Sequence, residues 1–205
     1  MKKILYVFLI SCFSFTIFSC AKKDGSSDTS TSFWPKQIGT SSNDYGTGVT
    51  VEFSDNIHVS GQSNGGLDGN INSLNDGIFL VKYNSSGNKL WTKQLGNSDT
   101  DIGMGVIVDS SDNIYVTGIA SGGLDRNTSS GGEDIVLMKY NSSGIKQWRK
   151  QLGSSSSDFA WDVTVDSSDN IYVTGFINGS LDGQFNQESN YDIFLVKYNS
   201  DGVKQ

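Results

Sequence analysis

One interval constrains this chain more than any other feature. Trp34, Trp91 and Trp148 stand 57 residues apart and head the strings WPKQIG, WTKQLG and WRKQLG. The same spacing carries Asp44, Asp101 and Asp158, then Asn56, Asn113 and Asn170, then Gly61, Gly118 and Gly175, and the pairs Leu67-Asp68, Leu124-Asp125 and Leu181-Asp182. A period of this length means one supersecondary unit used three times, each copy burying its apolar face against the next.

Each unit reads as four short strands. In the third copy a first strand around Val163-Thr164-Val165 is followed by the turn Asp166-Ser167-Ser168-Asp169 and a second strand from Asn170 to Gly175. Asp and Ser side chains accept hydrogen bonds from their own turn backbone, and β-branched and aromatic residues follow at once. The third strand, Ile193 to Val196 with its copy Ile135 to Met138, is apolar on successive residues and is expected to be covered on both faces. The fourth, Ile145 to Leu152 after the turn Asn141-Ser142-Ser143-Gly144, carries the Lys and Arg expected of an outer edge. Four antiparallel strands with buried inner members and a charged outer one describe a β-propeller blade. The expected fold is all-β, three four-stranded blades over about 40–96, 97–153 and 154–205; a β-helix would need a much shorter repeat.

The strings VDSSDNIYVTG and DIFLVKYNSDG, with a Trp-containing strand ending in Gln-Leu-Gly, resemble the bacterial SBBP repeat of seven-bladed propellers over roughly residues 33 to 205. That resemblance implies propeller architecture and a cell-envelope setting. It transfers no site, because the family has no agreed catalytic residues. The first copy departs at Glu52, where the others have Asp109 and Asp166, and at Gly77, where they have Asp134 and Asp192.

Residues 1–19 read as a secretory signal: Lys2 and Lys3, the apolar run from Ile4 to Ile10, then a Ser-interrupted stretch ending Ile17-Phe18-Ser19-Cys20. The ending resembles a bacterial lipobox, with Phe18 bulkier than the usual residue, and makes Cys20 the expected lipidated residue. Residues 20–32 read as a flexible polar tether, and 33–205 as the repeat segment. More than one acyl chain on Cys20 would give stable membrane anchoring, with the outer membrane or cell surface the expected location. Cys12 would leave with the signal, so the exported body would hold no free thiol and no disulfide. Loss of Lys2 and Lys3 takes the formal net charge from −7 to −9, which argues against nucleic acid as a partner.

Three blades do not close a ring, since closed propellers use about four to eight. In the preferred reading the 205 residues are a truncated product of a longer propeller, and a non-functional fragment is an alternative to the role expected below. In the other, a homodimer closes a six-bladed ring, with Phe33 to Gly39 of one protomer supplying the outer strand of the partner's last blade.

The chemistry on offer is sparse. His58 is the lone histidine and fills the strand position of Tyr115 and Tyr172, so His-based triads and His-rich zinc sites are not expected. Asp44, Asp101 and Asp158 are weak candidates for a Ca²⁺ ring, with turn capping preferred and no cofactor expected. The DSSD turns lack the later ligands of an EF-hand. Candidate partner contacts are Asp68, Asp125 and Asp182, in the connections 64–76, 121–134 and 178–192, whose first halves repeat and second halves vary. The expected role is a non-catalytic binding or scaffolding module, adhesin-like, touching an extracellular protein or glycan. A glycosidase or lyase using loop carboxylates is the enzymatic alternative, and it would need two acids about 5 to 10 Å apart across one cleft.

Overall fold

The computed structural model describes residues 34–69, 77–96, 100–123, 131–181 and 190–205. The chain divides into the units Met1–Thr31 and Ser32–Gln205, and all of the described residues belong to the second. The proposed signal, tether and Cys20 lie outside them, as do Asp125 and Asp182.

Three antiparallel sheets follow one another along the chain. The first runs β1 (Asp44–Val51), β2 (Ile57–Ser63), β3 (Gly77–Tyr83) and β4 (Lys89–Leu95); the second β5 (Asp101–Val108), β6 (Ile114–Ser121), β7 (Glu133–Tyr140) and β8 (Lys146–Leu152). The third holds β9 (Phe159–Val165), β10 (Ile171–Ile177) and β11 (Asp192–Tyr198). A fourth strand there is begun by a bridge between Tyr198 and Lys204. Among the described residues, then, the expected four strands are complete in two blades and incomplete in the third. The expected strands lie where the sequence places them: the first and third run longer than the segments read from it, the second shifts by a residue or two, and the fourth, β8, starts one residue later than Ile145.

Neighbouring strands in sequence are neighbours in space, so every sheet is a meander with its first strand inside and its last outside. The inner strand of one sheet packs against the face of the sheet before it: β5 on β1, β2 and β3, and β9 on β5, β6 and β7. Side chains alternate across each strand, so each face has its own set. Ile78 and Leu80 of β3 meet Val106, Ile114, Val116 and Met138 in one core. Ile135 and Leu137 of β7 meet Val163, Ile171, Val173 and Val196 in the next. That is blade-on-blade stacking.

A register shift marks the inner strand of each blade, between Gly46 and Gly48, Gly103 and Val106, and opposite Thr174 and Gly175. The bulge drives a carbonyl into the second strand, which explains the recurrent glycine there. A Cβ on Gly61 would lie 1.9 Å from the Tyr45 carbonyl oxygen, and one on Gly118 2.1 Å from that of Ile102. Nothing larger than hydrogen fits at those two positions.

Candidate functional site

Two polar regions recur in each blade. The first lies in the turn between the inner and second strands. Asp109 Oδ1 accepts the Ser111 and Asn113 amides, both at 2.9 Å, and its Oδ2 accepts the Tyr115 hydroxyl at 2.9 Å. Asp166 repeats this with Ser168, Asn170 and Tyr172, and its carboxyl is held down at about 2, chiefly by the Asn170 side chain and amide. The DSSD segments are turns closed on themselves, with Asp112 and Asp169 in the left-handed region at φ 60° and 58°.

In the first blade this motif becomes a buried charged cluster. Glu52 Oε1 takes the His58 ring Nε2 at 2.7 Å and the Lys82 ammonium at 2.5 Å, while Asn56 donates to Oε2 at 2.7 Å. Burial pushes the Glu52 carboxyl up, but the bonds from Lys82, Asn56, His58 and Ser54 outweigh it and hold it at about 2. Burial keeps His58 below its usual value against the pull of Glu52. The longer acid and the imidazole replace the Asp–Tyr pair of the other blades, so His58 is the strand residue that its position in the repeat indicates.

Lys82 has a second partner, and sequence reading missed it. Its ammonium also donates to the Ser142 carbonyl of the next blade at 3.2 Å; Lys139 does the same to Ser200 at 3.0 Å, lying 5.4 Å over the Tyr115 ring. The same turns dock on tryptophan. Gly144, at φ 73°, approaches Trp91, and Gly202, at φ 74°, approaches Trp148, whose indole N–H donates to the Ser200 carbonyl at 3.3 Å. Each Trp–Lys pair thus clasps the third-to-fourth-strand turn of the following blade. The signal was present in the sequence as the Lys in VKYN, MKYN and VKYN.

The second region gathers the connections entering each blade and those leaving its second strand. Asp44 accepts the Thr40 amide at 2.6 Å and the Ser63 hydroxyl at 2.6 Å. Asp158 accepts the Ser154 amide and, at 3.1 Å each, the Ser154 hydroxyl and the Asn178 amide. Asp101 is fully buried. Asp44 and Asp158 tie the incoming loop to the outgoing one, and among the described residues no three His, Cys, Asp or Glu side chains are arranged to hold a metal ion. Further bonds join the Asn64 amide to Asn43, Gly132 to Ser156 and Asp158 to Glu133. Asp68, the described member of the proposed contact set, has its carboxylate engaged by Lys89 and Thr92, which fastens its loop to β4. Beside it Leu67 is buried, its amide bonded to Gln94.

Stacked four-stranded meanders with a side-chain clasp between successive sheets define a repeat protein of the propeller type. The Beta-propeller repeat family, SBBP, matches residues 34–68, 90–125 and 147–182, together just over half of the chain, and the chain belongs to that family. It is similar to an uncharacterized WD repeat-containing protein, L264, of Acanthamoeba polyphaga mimivirus, at 32% identity over 119 residues, covering 50% of this chain and 9% of that protein. It is also similar to the regulatory protein FlaEY of Caulobacter vibrioides, at 27% identity over 138 residues, covering 62% of this chain and 14% of that protein. The chain therefore spans less than a sixth of the length of either relative.

Proposed function

We propose that this chain is an envelope-anchored lipoprotein, held by acyl chains on Cys20, whose blades act as a non-catalytic binding or scaffolding module for an extracellular protein or glycan. The observation that carries the reading is the second polar region. Three connections of divergent sequence leave equivalent strand ends, and their bases are fixed by the Asp44, Asp101 and Asp158 loops. Rigid roots with variable tips are what a repeat fold uses to present a recognition surface. Among the described carboxylates there, those of Asp44 and Asp158 accept from backbone amides and hydroxyls. The WD-repeat and regulatory names of the two relatives agree with a module that binds.

The test has two parts. Cys20→Ala is expected to abolish palmitate labelling and release the protein from the membrane fraction; label entering the variant would refute the anchor. The chain with 70–76, 125–130 and 183–189 replaced by Gly-Ser segments is expected to lose binding to arrayed envelope glycans and purified surface proteins while keeping its β-sheet spectrum. Undiminished binding would move the recognition surface elsewhere.

A further inference from the structure

The two joints between blades are each closed by one row of side chains running across three strands. In the first blade His58 of β2 lies opposite Lys82 of β3, which lies opposite Trp91 of β4; in the second, Tyr115, Lys139 and Trp148 hold the same places. Each row meets the third-to-fourth-strand turn of the following blade, through the Lys82 bond to Ser142 and the Lys139 bond to Ser200. Trp91 lies over His58, at 5.7 Å between ring centres, and Gly144 of the second blade lies against Trp91. The first joint is therefore shut over an imidazole and the second over a phenol.

The pocket around His58 suits one charge state. The ring is fully buried. Glu52 is ionised and can only accept, so the proton in the 2.7 Å contact sits on Nε2, and Nδ1 is a lone pair with no partner among the described residues. The charged groups around the ring are Glu52, Lys82 on the adjoining strand and, at longer range from the turn of the second blade, Asp112. With His58 neutral, the Glu52 charge is balanced by Lys82 on the same oxygen, Oε1. A second proton would set two cations on that oxygen and turn Nδ1 into a buried donor without an acceptor. Asp112 is partly exposed and makes no bond to the ring, so it does not supply one. An uncompensated buried charge and an unmade buried bond both disfavour the closed form.

Relief comes only from letting the ring reach water. β2 is held on both edges by β1 and β3, so the way out lies under Trp91 and the 141–144 turn, which is the joint itself. We propose that the joint between the first and second blades is acid-sensitive and unlatches when His58 takes up a proton, while the joint between the second and third blades stays shut. The imidazolium competes for Oε1, and Lys82 loses the acceptor that holds it beneath Ser142. The Trp91–Gly144 contact then loosens over the core of Ile78, Leu80, Val106 and Val116.

The direction follows from burial, which keeps His58 below its usual value in the closed joint, so protons favour the open one below pH 6.5. Glu52, held at about 2, stays ionised throughout that range. His58 is the chain's only histidine. In the second joint the Tyr115 hydroxyl donates to Asp109 at 2.9 Å, and burial raises the phenol further from neutrality.

The inference is independent of the proposed loop-face binding, since it concerns a buried seam and is read by thiol protection. Val106 and Val163 occupy equivalent places in the two joints, 6% and 4% exposed. In the full chain carrying Val106→Cys or Val163→Cys, the rate of reaction with a pyridyl disulfide reports how often each joint opens, once divided by that of a free cysteine peptide at the same pH and assigned by peptide mass. Between pH 7.5 and 5 the opening constant at Val106→Cys is expected to rise about three- to thirtyfold, and that at Val163→Cys to change less than about twofold. Adding His58→Gln, which keeps an amide donor toward Glu52 without an ionisable ring, should abolish the rise. Adding instead Glu52→Asp with His58→Tyr, which copies the second joint, should abolish it too. A flat profile at Val106→Cys, an equal rise at both joints, or a rise that survives either replacement overturns the proposal.

Discussion

Leu80, Leu137 and Leu195 occupy the same position in the third strands of the three blades, and the structure assigns them unequal energetic roles. Truncating each to alanine removes the same atoms, so differences report the environment alone. Leu137 is 1% exposed between Ile171, Val173 and Ile135, and Leu80 is 2% exposed in the preceding core. Loss of transfer energy plus a residual cavity predicts about 2 to 5 kcal/mol for each. Leu195 is 71% exposed, so under a third of the roughly 1.5–3 kcal/mol for full burial is at stake, about 0.4 to 0.9 kcal/mol. The measurement is urea unfolding followed by tryptophan fluorescence, since Trp91 and Trp148 sit at the same two interfaces. The expected order of midpoints places Leu195→Ala near the parent and the other two well below. If Leu195→Ala cost as much as Leu137→Ala, the assignment of blade faces would be wrong.

Two other expectations follow from the polar clusters. The Glu52 carboxyl titrates at about 2 in the fold against 4.5 when free, so its stabilisation is complete above pH 4.5 and is lost as pH falls toward 2. His58, kept neutral by burial, takes up its proton at a lower pH in the fold than in the unfolded chain, so stability also declines as pH drops below 6.5. The double variant Glu52→Asp with His58→Tyr imports the second blade's pair and should remove the onset at pH 6.5 in melting temperatures recorded from pH 8 to 4; an onset that survives would place its origin elsewhere. Lys139→Met keeps the packing of the stem over Tyr115 but removes the bond to the Ser200 carbonyl, at an expected cost of about 1 to 2 kcal/mol by the same urea assay. A change under about 0.3 kcal/mol would show that the clasp is incidental.

The sequence by itself determined the repeat, its phase, the strands and the turns. These depend on local chemistry: Asp and Ser closing their own turns, and β-branched and aromatic residues following at once in strands. It also placed His58 correctly, because the period aligns it with Tyr115 and Tyr172. Double coverage of the third strand was expected for Ile135 to Met138 and for Ile193 to Val196; it holds for the first, while Ile193 and Leu195 are 89% and 71% exposed, because burial depends on whether another sheet lies above and the repeat pattern does not record that. Only the tertiary structure decided that Asp44 and Asp158 cap loops, that Asp68 is held by Lys89 and Thr92, and that each Lys–Trp pair grips the following blade. Those contacts join residues about 60 positions apart or link strands across a loop, and their geometry is set by how the sheets stack.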